Sequence, residues 1–465
     1  MFIYVVLFIL SIVLLSASFY VKTIMLNSNF YQLVYYLFNG KSGSGSIKVV
    51  LDTIKSCALF FIIAFFVLLI PVILVKRFKW FTLKKFVRVY VLSLLFASTL
   101  ITLHCYQFDD YVINKSKKTD ISKYYVDTRD VKVTFNDKKK NLILIYLESM
   151  ESSFMSKSNG GLFDKSRIPE LESLCLENDN FSNTDKLGGA KNLTVNSFTM
   201  ASLVAGSSAS QVDIKFFKGY NKKNPILKDN VTLGDILKDN GYNLKVIQGS
   251  DIKFSATDMY YKNHGDYEMV DYNEMIKRGY IPKGYLEWWG VEDRVLFDVA
   301  RDEIVKSSKE GKPFAVTLFT MDTHFKDGYL DKDCSGEFDD QLSNVYACSS
   351  KRVYDFIEFI KSQDFYKDTT IVLLGDHYTM QNSYFNGLDS SKRSIFNTFI
   401  NSSKQITNNK NRVFTNYDMY PTILSSIGAS IEGNKLGYGT DLYSGDKTLS
   451  EIIGIDTLEK ELNKM

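Results

Sequence analysis

The first 105 residues contain a single acidic side chain, Asp52, against ten lysines and arginines. So little negative charge excludes an ordinary soluble surface there, where both signs are interspersed. Proline is scarce (six), and with 27 glycines this excludes collagen-like or low-complexity architecture. Only four histidines occur in 465 residues, so each is informative. With 23% charged and 45% hydrophobic residues, intrinsic disorder is excluded. The net charge of +3 hides an asymmetry, since the chain after residue 105 carries 46 basic and 52 acidic residues. A basic, apolar front joined to a mildly acidic body is a membrane pattern, and it argues against a nucleic-acid partner. The length suits a membrane anchor plus one large α/β domain.

Phe2–Val21 is a 20-residue run without a charge, long enough to cross a hydrocarbon core as a helix. It lacks a basic leading segment and exceeds the usual apolar length of a cleavable signal, which favours an anchor. Ser56–Val75 is a second run, interrupted only by Pro71. Val89–Phe108 is a third, weakened by His104 and several hydroxyls; its alternative is a buried helix of the body. Residues 1–108 are therefore expected to form an anchor of three transmembrane helices. Between the second and third runs lie Lys76, Arg77, Lys79, Lys84, Lys85 and Arg88 with no acid. The positive-inside rule puts that loop and the N-terminus in the cytoplasm, and everything after about residue 108 outside. Asn27–Asn39, aromatic and half apolar, is expected to lie in the outer interface. In an oxidising compartment, Cys334 and Cys348 would be the natural disulfide; two free thiols are the alternative.

Residues 109–140 are polar and charge-dense and read as a linker docked loosely on the domain. The body is expected over 141–445, with 446–465 as a C-terminal tail. No internal repeat is visible. Continuous apolar runs at Asn141–Leu147, Phe314–Phe319 and Thr370–Leu374 suit strands buried on both faces of a parallel sheet, and Asn243–Ile247 reads as a fourth. Leu233–Asn240, Tyr354–Ser362 and Met419–Ile427 read as helices, and Cys175 falls in an amphipathic one. The alternation predicts an α/β, doubly wound domain.

In such sheets, ligands collect at the carboxyl ends of the strands. Glu148 follows the first run, Met321-Asp322-Thr323-His324 the second, and Gly375-Asp376-His377 the third. Each is weak alone, since Glu148 could simply cap a helix. Together they put carboxylate and imidazole on one rim, a mixed O/N set suited to Zn²⁺ or Mn²⁺.

The ordered set NLILIYLES, KNLTVNSFTMASLVAG, TMDTH and VLLGDHY resembles the alkaline phosphatase superfamily, and within it the membrane-bound phosphoglycerol transferases. These are the lipoteichoic acid synthases and, more closely, the sulfatase-like enzymes that decorate periplasmic glucans. The resemblance continues through Gln248-Gly249-Ser250, Phe254, Lys262–Gly265, Trp289-Gly290 and Asp293 to Tyr417–Leu424 and Leu436–Leu442, covering roughly 125–445. It implies a bacterial cytoplasmic-membrane, multi-pass enzyme whose sulfatase-like domain faces the periplasm or cell exterior. It also implies that Glu148, Asp376, His377 and the oxygen of Thr199 hold one divalent metal ion, Mn²⁺ or Zn²⁺. Thr199 then matches the nucleophile and His324 the histidine that holds the substrate phosphate. Trp289, Asp293 and Arg294 match a segment near the donor head group.

The chemistry of the residues is compatible. A threonine hydroxyl is hardly ever ionised at neutral pH, and a cation on its oxygen lowers that pKa. Thr199 opens a small-residue helix whose positive end suits phosphate. Thr194, Ser197 and Ser202 are alternative nucleophiles, WWGVEDR could be a packed helix start with a surface ion pair, and His264 could serve either a turn or the site. No Cys/Ser-x-Pro-x-Arg appears near residue 199, so the formylglycine of true sulfatases is not available, and a second metal's ligands are missing. The implied reaction moves phosphoglycerol from phosphatidylglycerol in the bilayer to a hydroxyl of an extracytoplasmic glycan. The alternatives are a phosphoethanolamine transferase with the same site and a non-catalytic glycan-binding membrane protein.

Overall fold

Every residue of Leu142–Leu147 is buried, and alternate side chains enter different cores. Leu142, Leu144 and Tyr146 join one apolar cluster, while Ile143, Ile145 and Leu147 join another. That is the requirement for a strand sandwiched between two helix layers, and each fully buried aliphatic side chain contributes roughly 1.5–3 kcal/mol. The computed structural model describes residues 2–23, 30–39, 45–79, 81–213, 219–221 and 223–465.

Among the described residues the strands are β1 (Val133–Phe135), β2 (Asn141–Leu147), β3 (Asn243–Gln248), β4 (Glu268–Val270), β5 (Phe314–Phe319), β6 (Thr369–Gly375), β7 (Asn397–Ile400), β8 (Ala429–Ile431), β9 (Lys435–Leu436) and β10 (Gly439–Thr440). Six form the central sheet in the order β4-β3-β5-β2-β6-β7, parallel except for β7. The fold is the expected mixed α/β one. Tyr146 lies beside Phe319 and Leu147 beside Gly375, so β2, β5 and β6 end together. Segments after these three strands must therefore meet.

Among the described residues, three helices are long and apolar enough to cross a membrane. The first helices in the chain are α1 (Phe2–Thr23), α2 (Phe30–Asn39), α3 (Gly45–Phe78), α4 (Leu83–Cys105) and α5 (Phe108–Lys115). Phe8, Ile12, Val87 and Val91 fix α1 against α4, while Leu59, Ile62, Phe66 and Ile70 of α3 point outward. α4 starts six residues before the apolar run and stops three before its end. Lys84, Lys85 and Arg88 can extend their stems along the helix and keep their charges at its end. At the other end Gln107 takes a positive φ of 59°, and the His104 ring contacts Asp109 at 2.7 Å. Residues 27–29 of the interfacial segment lie outside the described residues; the remainder of it is α2.

Residues 109–140, read as a linker, contribute β1, which pairs antiparallel with β8. Residues 446–465 form the helices Leu449–Ile453 and Ile455–Asn463, with Leu458 and Leu462 buried. The helix read at Tyr354–Ser362 begins at Gln341, and Cys348 within it is disulfide-bonded to Cys334. Cys175 is buried in α6 (Pro169–Glu177).

Candidate active site

Glu148 follows β2 directly, and the turn after it is sharp because Ser149 adopts φ 52°. The Ser149 hydroxyl donates to Glu148 Oε1 at 2.7 Å, holding the carboxylate over the strand ends. Next door, Asp376 follows Gly375, where a Cβ would stand 2.0 Å from the Met150 carbonyl oxygen. Only glycine lets β6 come that close. The backbone N–H groups of Ser149 and His377 both donate to Asp376 Oδ1 at 2.8 Å, which fixes the carboxylate from two strands at once. Asp376 Oδ2 is buried without a hydrogen-bond partner. The His377 ring faces the Tyr378 carbonyl with Nδ1 (2.9 Å), so with the proton on Nδ1 its Nε2 presents a lone pair to the carboxylates.

Glu148, Asp376 and His377 each offer a ligand atom, all within 4.8 Å of one another, and all three residues are buried. Among the described residues no other such group occurs. Burial, and then the Glu148 charge, push the Asp376 carboxyl up to about 7. Burial also works against Glu148, but His324, His377 and the hydrogen bonds from Ser149 and Thr199 hold it below the usual carboxylate range. Two buried acids with an orphaned oxygen and one imidazole lone pair fit a divalent cation, which supplies the missing charge.

Thr199 is the first residue of α7 (Thr199–Ser208). Its Oγ1 lies 3.4 Å from Glu148 Oε2 and 3.3 Å from His377 Nε2. The register of α7 is pinned by Ser202, whose hydroxyl donates to the Asp376 carbonyl, an oxygen that Asn416 Nδ2 also reaches at 2.8 Å. Ser202 is thereby committed to structure. The Ser197 hydroxyl donates to the Thr194 carbonyl at 2.8 Å, and the Thr194 N–H donates to Glu459. Thr199 thus sets its hydroxyl against Glu148 and His377, while Ser202 and Ser197 direct theirs to backbone carbonyls.

A cavity opens over this group, lined among others by Glu148, Thr199, Asp376, His324, Trp289 and Tyr36. His324 turns Nδ1 to the Phe325 carbonyl (2.7 Å), and Trp289 lies 4.5 Å from its ring. Asp293 and Arg294 are elsewhere. The buried Asp293 carboxylate accepts the N–H groups of Met321 (2.7 Å) and Asp322 (3.3 Å), so it holds the loop that carries His324. Arg294 pairs with Glu292 and Asp331 away from the cavity. His264 is buried with both ring nitrogens engaged, by Asp235 (2.9 Å) and the Ile226 carbonyl (2.8 Å), a turn role. Sequence reasoning missed Thr320, which directly follows β5 and accepts the Glu148 N–H at 3.0 Å; its place after a buried run was the available signal. It also missed Tyr36, for which no local signal existed.

Phosphoglycerol transferase I of Escherichia coli and that of Shigella flexneri are each 30% identical to this chain over 354 residues. The match covers 74% of this chain and 43% of theirs, so the chain spans less than half the length of these relatives. Among solved structures, the lipoteichoic acid synthase LtaP from Listeria monocytogenes matches with TM-score 0.50 at 18% identity, over 70% of this chain and 81% of that one. That likeness concerns the fold. The family model for sulfatases matches residues 140–429, from the first strand of the central sheet to the start of β8. With the strand-end carboxylates, imidazole and threonine falling inside that span, the chain belongs to the sulfatase family.

Proposed function

We propose that the protein transfers phosphoglycerol from phosphatidylglycerol to a hydroxyl of an extracytoplasmic glycan. The observation that carries this reading is Thr199 Oγ1 at 3.3–3.4 Å from His377 and Glu148, inside a cavity that His324 also faces. Glu148, Asp376, His377 and Thr199 would hold one divalent cation, Mn²⁺ or Zn²⁺. When bound, that cation supplies positive charge that acidifies the threonine hydroxyl and stabilises the phosphoryl oxygens.

The residues divide the work as follows. Thr199 Oγ1 attacks phosphorus in line, its proton directed to the Glu148 carboxylate, and the P–O bond to diacylglycerol breaks. His324 gives a proton to the departing alkoxide and steadies the phosphoryl oxygens, leaving phosphoglyceryl-threonine. The N–H groups at the start of α7 face the same oxygens. An acceptor hydroxyl then attacks, gives its proton to His324, and Thr199 is released with its proton restored. The positively charged loop at 76–88 supports a cytoplasmic side there and a site facing outward. The anchor holds the site near the leaflet in which a lipid donor resides, raising its effective concentration.

Thr199→Ala should stay folded, since the helix has no side-chain cap to lose and a single truncation costs about 0.5–3 kcal/mol against a stability of roughly 5–15. Incubated with fluorescent-acyl phosphatidylglycerol, the wild type should release labelled diacylglycerol and show a phosphoglyceryl adduct on Thr199 by mass spectrometry, and the variant neither. Diacylglycerol release by the variant would move the nucleophile elsewhere. Consumption of phosphatidylethanolamine alone would change the head group and leave the mechanism.

A further inference from the structure

α2 is built into the catalytic body. The buried Tyr35 hydroxyl donates to the Ser255 carbonyl at 2.5 Å, Gln32 Nε2 reaches the Met380 sulfur at 3.4 Å, and the Tyr31 hydroxyl donates to the Asn463 carbonyl at 2.7 Å. These contacts fix the next residue, Tyr36, in the wall of the cavity. Its ring lies 5.6 Å from Phe198, the residue before Thr199, and stacks at 5.6 Å and 25° on Phe254. Phe254 is 5.9 Å from Trp289, which is 4.5 Å from His324. An arc of four aromatic rings thus runs from the threonine to the histidine. Burial, and then the charges of Glu148 and Asp376, push the Tyr36 phenol well above its usual range, so it stays neutral.

The side of the cavity is informative too. Six residues separate α1 from α2, so the start of α2 cannot lie more than about 25 Å from the end of the first span. Tyr36 therefore belongs to the part of the site tied to the bilayer, where a lipid donor comes from. We propose that Tyr36 is a specificity-determining residue for the donor: with Phe254 and Trp289 it receives the glycerol of the phosphoglyceryl head group, the C–H edges of the glycerol against the rings, while the phosphate lies between Thr199 and His324. This rests on the phosphoglycerol reading above.

The test uses the full chain in detergent, loaded with metal and carrying Thr199→Ala to prevent turnover, with sn-glycerol 1-phosphate and inorganic phosphate as calorimetric probes. Tyr36→Leu, which keeps an apolar contact for Phe198, should weaken glycerol phosphate at least tenfold and leave inorganic phosphate unchanged. Tyr36→Phe should bind both within about threefold of the parent, because the ring forms the wall. Equal weakening of both probes would make Tyr36 a packing residue, and no weakening would remove it from the site; either overturns the proposal. If the parent itself does not prefer glycerol phosphate to inorganic phosphate, the head-group reading fails and takes this inference with it.

Discussion

Lys245, Glu268, Arg278 and Glu303 meet at one edge of the sheet, and Glu148, Asp376 and His377 at its centre, yet the two groups balance their charge in opposite ways. At the edge cations and carboxylates interleave: Glu303 has Lys245 at 2.6 Å, Arg278 at 3.0 Å and Lys306 at 3.2 Å, and Lys245 and Arg278 both also reach Glu268. Burial opposes ionisation of Glu303, but the Lys245 hydrogen bond and its other partners bring its pKa down to about 2. At the centre two carboxylates share the His377 imidazole, whose Nε2 is 3.3 Å from Asp376 Oδ2, that oxygen accepts no hydrogen bond, and Asp376 is pushed up to about 7. The chain neutralises its structural charge from within. It leaves the central charge unbalanced, as a site for a cation from outside requires.

The contrast can be broken in order of effect. Asp376→Asn should empty the metal site and reduce diacylglycerol release by about 10³-fold or more, because several kcal/mol of charge stabilisation goes with the ion. Elemental analysis of the purified variant decides this, and undiminished metal would mean that the ion is held elsewhere. Glu303→Gln should do the reverse: metal per folded molecule unchanged, but stability lower by about 3–5 kcal/mol in urea unfolding, since Lys245 loses its buried partner. A change below about 1 kcal/mol would make the edge cluster merely a surface network. The smallest effect is on pH dependence. With the folded pKa depressed to about 2, Glu303 contributes stability that is complete above the ordinary carboxylate range near 4.5 and is lost as pH falls toward 2. The slope should reach at most about 1.4 kcal/mol per pH unit. Glu303→Gln should lack that component of the acid limb, and an identical limb in both proteins would refute the assignment.

The strand ends were legible because burial on both faces leaves no polar interruption until the chain turns, so Glu148 and Asp376 stand out at the boundary. The start of the helix Gln341–Lys361 was not legible. Its first half is rich in small and polar residues, and its apolar face depends on which side meets Leu171 and Leu296. Asp293 has the right chemistry for contacting a head group, but residue type does not tell whether a carboxylate faces a cavity or a neighbouring loop. Tyr36 was invisible for a related reason. The aromatic character of α2 marks an interfacial helix, while its contact with Phe198 joins residues 162 positions apart and leaves no periodicity to read.

The hydrogen bond from Tyr31 to the Asn463 carbonyl spans 432 residues of sequence. At roughly 5–20 residues per second, the ribosome needs about 20–90 s after making Tyr31 before its acceptor exists. The apolar helices α1, α3 and α4 are complete long before then. Newly made chains therefore pass through a stage in which that clasp on α2 is still open and the face of α2 that it later covers is exposed.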